Sequence, residues 1–186
     1  MRFHSTLFLL LVTTTVFSQI NSLIEYNSKT AGKLSWDDFP VSEKISGFQQ
    51  AFTYCGISYT INSSVDGLNC DYVSFVDLTE SWAHKDARTP EQLKHEQGLF
   101  DLTEVYARKM SKLTNAYIKA EGPNLTHQSL IAMVRKIYKE QNNLLFLEQQ
   151  KYNMETNNGK NKELQAVWDK KIASQLKQLE AFKNRN

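Results

Sequence analysis

Thr89-Pro90 divides this chain into two parts with different periodicities. Before it, aromatic and β-branched residues alternate with polar ones between turn residues; after it, apolar residues return every three to four positions, the helical spacing. Thr89 suits an N-cap, Pro90 the first helical position, and Gln92 the far corner of a capping box. A helix is predicted from there to about Ala120, because Gly122-Pro123 stops it. A second helix starts near Asn124 or Thr126 and runs to about Tyr152, with Leu130, Val134, Ile137 and Leu144 as its apolar stripe. Asn157-Asn158-Gly159 breaks the chain again. A third helix runs from about Asn161 to Phe182, with Leu164, Trp168, Ile172, Leu176 and Leu179 on one face.

The first part reads as a hairpin over about 48–78: strand-like Phe52–Ile61, turn residues 62–67, strand-like Leu68–Asp77. If the turn centres between Asn62 and Ser63, Cys55 and Cys70 face each other. That placing predicts a disulfide that stabilises the sheet by about 2–4 kcal/mol; two separate buried thiols are the alternative. Leu34-Ser-Trp-Asp-Asp-Phe-Pro40 reads as a short strand or an ordered leading segment, and Ser81–Arg88 as a connection. The expected fold class is α+β: a small antiparallel sheet followed by three long helices. The mostly short connections favour a single domain over 19–186.

Residues 1–18 have the parts of a signal peptide: Arg2 near the start, an apolar run from Leu7 to Phe17, and the small residue Ser18 as the cleavage point. The run is shorter than the ~20 residues a membrane helix needs. A secreted or periplasmic chain is therefore expected, which suits a disulfide. Hydrophobic residues at 41 % and charged residues at 23 % fit a globular chain. Residues 19–89 carry a net charge of −4 and residues 90–186 one of +5, so the whole has no strong electrostatic footprint for nucleic acid. No later segment is apolar enough to span a membrane.

The chemistry concentrates at the start of the first helix, in Leu93-Lys-His-Glu-Gln-Gly-Leu-Phe-Asp-Leu-Thr-Glu-Val-Tyr-Ala-Arg108. His95-Glu96 begins a His-Glu-x-x-His pattern, in which two histidines four apart bind zinc from one helix face and the glutamate activates zinc-bound water. The fifth position here is Leu99, so the pattern is incomplete. At 100° per residue, Glu104 points to the opposite side of the helix from His95, and Asp101 lies about 120° away. Leu102 and Tyr106 fall within about 20° of His95, which makes that face apolar to aromatic. His84 and His127 are the free histidines outside the helix. Glu104 and Arg108 read as a surface i,i+4 pair worth about 0.2–0.5 kcal/mol. Asp101 reads as an exposed helix residue, a holder of a neighbouring loop or a support that orients a ligand histidine. Trp36, Trp82 and Trp168 read as core or rim anchors.

This segment resembles the bacterial family of predicted secreted zinc-dependent proteases (domain of unknown function 922). The resemblance rests on His95-Glu96-Gln97, Phe100-Asp101, Glu104 and Ala107-Arg108. It extends upstream to Leu34-Ser-Trp-Asp-Asp-Phe39 and Ser81-Trp82. Downstream it takes in Tyr152-Asn-Met-Glu-Thr-Asn-Asn-Gly159, Gln165 and Trp168. It implies a zincin-like fold, with His95 as a metal ligand and Glu96 as catalytic base. Leu99 and Asn158 stand where the family has further histidines. The resemblance therefore implies a protease scaffold with a decayed metal site, one that holds no cofactor and binds a protein, peptide or envelope component. An active metallopeptidase with rearranged zinc ligands is the alternative, drawing on His84, Asp101 or Glu104. A plain helical interaction module is the third.

Overall fold

The computed structural model describes residues 22–26, 32–42, 50–65 and 67–184. The predicted signal peptide lies outside them. Strands β1 (Leu23–Glu25), β2 (Val41–Ser42), β3 (Ala51–Ser64) and β4 (Gly67–His84) precede helices α1 (Pro90–Glu121), α2 (His127–Glu155) and α3 (Lys162–Gln178). The α+β class holds.

β3 and β4 form the hairpin, from Ser64 opposite Gly67 to Ala51 opposite Ala83. Gly67 sits at φ 110°, which favours glycine, and the tight connection forms just before it. The turn therefore lies three residues beyond the centre expected between Asn62 and Ser63. That shift moves every pairing. Cys55 now faces Val76 and Cys70 faces Ile61. The cysteines are six residues apart along the ladder, ~20 Å at the usual rise, and both thiols are free. The expected disulfide is corrected to two separate thiols, Cys70 buried and Cys55 partly so.

β4 is the central strand. β3 runs along one edge; β1 (antiparallel) and β2 (parallel) follow one another along the other, so the sheet is mixed rather than purely antiparallel. Near its base the ladder slips between Phe52, opposite Trp82, and Tyr54, opposite Asp77. Ser81 closes this bulge: its hydroxyl donates to Asp77 O (2.5 Å) and accepts from Tyr54 N–H (3.0 Å). Ser81–His84 is thus strand, not connection. The leading segment is one turn of 3₁₀ helix, Trp36–Asp38, capped by Ser35.

Inward residues Cys70, Tyr72, Ser74 and Val76 of β4 pack on α1. α1 contacts the sheet as well as α2 and α3. That central position explains why α1 buries residues on every side between Gly98 and Arg108. Thr89 caps it as expected, accepting from Gln92 N–H (3.1 Å), but no capping box forms. The Gln92 side chain is drawn to Glu96 instead (2.8 Å). On α2 the stripe is Leu130, Val134, Ile137, Leu145 and Tyr152, while Leu144 is half exposed. On α3, Gln165, Trp168 and Ile172 are buried and Leu164 faces outward. α3 ends at Gln178, and Glu180–Phe182 is a separate 3₁₀ turn. Among the described residues no helix is long and apolar enough to cross a membrane.

Candidate functional site

The first turns of α1, the base of β3, the second half of α2 and the 158–160 turn enclose a cavity of about 180 Å³. Its lining includes Thr53, Gln92, His95, Glu96, Leu99, Asn153 and Asn158. The incomplete motif and Asn158, distant in sequence, thus share one wall. Phe52 and Phe146 also line it and are 36 % and 59 % exposed, so they sit at its mouth.

Glu96 is only 2 % exposed. Its Oε1 accepts from Gln92 Nε2 (2.8 Å) and its Oε2 from Thr53 Oγ1 (2.7 Å). Both donors are neutral. Residues at i and i+4 on a helix are neighbours, so Gln92 reaches Glu96 directly. Thr53 comes from a strand that the hairpin brings against the same helix.

His95, also 2 % exposed, is held more completely. A directional chain of hydrogen bonds fixes its tautomer. The Tyr152 hydroxyl donates to His95 O (3.0 Å), so its oxygen accepts from Gln165 Nε2 (2.7 Å). Gln165 Nε2 gives its other proton to Asp169 Oδ1 (2.9 Å). Gln165 Oε1 is then left to accept, and His95 Nδ1–H donates to it (3.2 Å). Thr156 Oγ1 lies 3.4 Å from the same nitrogen and donates its own proton to Tyr152 O (2.7 Å). The imidazole stacks on the Tyr152 ring at 4.7 Å with 6° between planes, and Trp168 meets Tyr152 edge-on at 5.3 Å. Nε2 is left as the unprotonated nitrogen, an acceptor, with Asn153 within hydrogen-bonding reach of the ring. Burial holds this imidazole below its ordinary pKa, in keeping with the neutral form.

Two glycines make this setting possible. A Cβ on Gly98 would collide with the Tyr152 hydroxyl and lie 2.8 Å from its Cζ. A Cβ on Gly159, at φ 82°, would lie 2.8 Å from His95 Cβ. Tyr152, Thr156, Gly159 and Gln165, singled out downstream in the sequence, therefore converge on His95, with Trp168 packed against Tyr152.

The remaining motif residues build the frame. Gln97 accepts from Leu34 N–H (2.9 Å) and donates to Gly32 O (2.7 Å) and Asp101 Oδ1 (2.8 Å), tying the 32–34 segment to α1. Asp101 also bonds Tyr26, whose ring packs edge-on against Phe100 at 5.3 Å. Asp101 is thus the holder of a neighbouring segment, not a partner of His95. Burial pushes its pKa up to about 6, against the pull of Gln97 and Tyr26. A raised carboxyl pKa stabilises the fold below that pH and costs stability as pH rises through it. Asp101→Asn is therefore expected to gain on wild type, in thermal melts, between pH 5 and pH 7.5. An unchanged difference across that window would contradict the assignment.

Glu104 and Arg108 are not a surface pair. They are 2 % and 3 % exposed. Glu104 accepts from Arg108 Nε (2.8 Å) and from Ser74 Oγ (2.6 Å) on β4, on the opposite side of α1 from His95. His84 binds Ser42 O (2.9 Å) at the end of the sheet, and His127 is exposed at the start of α2. Neither lines the cavity.

This donor set does not fit a catalytic zinc, which needs three protein ligands and an open position. His95 Nε2 is suitable. The Leu99 side chain has no donor atom, and Asn158 supplies only an amide. Among the described residues no group of three His, Cys, Asp or Glu side chains is placed to hold a metal ion. Sequence reasoning missed Thr53, Asn153 and the role of Gln92. Thr53 and Asn153 lie on other elements and match no spacing rule; Gln92 fitted a cap equally well.

No known family model, curated protein or solved structure matches this chain.

Proposed function

We propose that this chain is an exported, non-hydrolytic binding protein whose cavity takes up a peptide or protein segment. The observation that carries the reading is the convergence of His95, Glu96, Leu99 and Asn158 on one cavity. His95 keeps the support that a metal-ligating histidine needs: its Nδ1–H is bonded and its ring orientation fixed. The two other ligand positions cannot bind metal, which favours binding over hydrolysis. A peptide suits the surroundings. Gln50 and the first three residues of β3, Ala51–Thr53, line the cavity, and among the described residues β3 pairs with β4 alone. An extended segment can add along that edge, with Phe52 and Phe146 covering its apolar side chains. Export rests on the composition of residues 1–18.

Reconstruction tests the decayed-site geometry. Leu99→His with Asn158→His is expected to create zinc binding that wild type lacks. Asn158 sits at φ 51°, a conformation that histidine tolerates. Zinc titration by calorimetry measures the gain. Equal, weak zinc binding by both proteins would contradict the placement of the lost ligands.

A further inference from the structure

We propose that the cavity captures a primary ammonium group, on a peptide N-terminus or a lysine side chain, with Glu96, His95 and Asn153 as its acceptors. This rests on the reading of the cavity as a binding site and names the group that it reads.

α1 carries two glutamates that are each 2 % exposed, and their surroundings differ. Glu104 has a cation, Arg108, at 2.8 Å. Glu96 has Thr53 and Gln92, both neutral, and makes no ion pair within the described residues. A buried carboxylate ordinarily has a charged partner, because neutral hydrogen bonds only partly offset its desolvation. Each Glu96 oxygen accepts one hydrogen bond and has a further lone-pair direction free. Lys160 also lines the cavity, but it is exposed and pairs with no acid among the described residues.

The neighbouring polar atoms are acceptors too. The hydrogen-bond chain through Tyr152 and Gln165 puts the His95 proton on Nδ1, so Nε2 can only accept. Asn153 lies within hydrogen-bonding reach of the ring, and its buried Oδ1 has no other partner among the described residues. Carboxylate, imidazole nitrogen and amide oxygen thus line one cavity, and of these three side chains only the Asn153 amide also carries N–H donors. An ammonium brings three N–H donors and one positive charge. A carboxylate or phosphate ligand would face repulsion from Glu96. Lys160 is placed to meet a carbonyl or carboxylate farther along the bound chain.

The test uses the purified chain and two small amines. n-Butylammonium represents the lysine side chain, and alanyl-alanine amide the peptide N-terminus. Their N-acetyl forms are the controls. Nuclear magnetic resonance follows the His95 ring nitrogens and the Asn153 side-chain amide. Saturable shifts with either amine and none with the acetyl forms are expected, and the amine that binds more tightly identifies the source. Glu96→Gln is expected to weaken that binding by about thirtyfold or more. Asn153→Leu, on the half-exposed side of α2, gives a second reading if Glu96→Gln does not fold; weaker amine binding is expected. Equal shifts with amine and acetyl forms, or no shift at His95 with either amine, would overturn the proposal. Equal shifts would still leave the cavity a binding site; a tightly held zinc would remove that reading instead.

Discussion

Arg108→Ala is expected to destabilise the fold by about 3–5 kcal/mol, because it strands a buried carboxylate. Glu104 would keep only the Ser74 hydroxyl at 2.6 Å. The arginine also donates from Nη1 to Leu176 O (2.8 Å) and to Glu180 (2.9 Å), so its loss frees the end of α3 from α1. Burial already raises the Glu104 pKa, with Ser74 and Arg108 pulling it down. Without the guanidinium it rises further, so the acid takes up a proton more readily in the folded state than in the unfolded state. The loss should therefore shrink as pH falls and grow as pH rises. Urea denaturation at pH 5 and pH 8 measures both. Adding Glu104→Gln should recover much of the stability. A loss no larger than that of a surface i,i+4 pair, about 0.5 kcal/mol, would contradict the buried clamp.

Gly98→Ala should also destabilise, against the intrinsic preference of a helix. In an ordinary helix interior, alanine gains about 1 kcal/mol over glycine. Here the added methyl meets Tyr152, which is fully buried and bonded to His95 O and Gln165. Overpacking and the disturbed hydrogen bonds outweigh the preference, for an expected net loss of about 2 kcal/mol. The same change should release the His95 ring, visible as altered imidazole nitrogen shifts. Stabilisation by about 1 kcal/mol would mean that Gly98 is an ordinary helix glycine.

The helices were legible because their punctuation is local. Thr89-Pro90, Gly122-Pro123 and Asn157-Asn158-Gly159 each act within a few residues, and each marks an observed boundary. Inside the helices, single stripe positions failed. Leu144 and Leu164 read as core by periodicity, yet the neighbouring Leu145 and Gln165 turn inward. Gln165 does so because His95 and Tyr152 supply partners for a buried amide, and a hydropathy pattern carries no trace of partners from another helix.

The hairpin register shows the same limit. Residues 62–67 are all turn-compatible, and only the backbone at Gly67 fixes where the chain reverses. An error of three residues separated two cysteines that arithmetic had paired. Glu104 and Arg108 looked like surface residues because their spacing is that of exposed pairs; the sheet laid over that face of α1 buries them. The grouping of His95, Glu96, Leu99 and Asn158 followed from the resemblance; the four residues line one cavity. Thr53 and Asn153 were invisible, since nothing in the local sequence marks a residue whose partner lies on another element.

In the proposed function this cavity works without metal. The most direct measurement is the zinc content of the chain purified without chelators, by elemental analysis. No stoichiometric zinc is expected, and none should be gained on dialysis against micromolar zinc. One tightly held zinc per chain, lost on His95→Ala, would contradict the account.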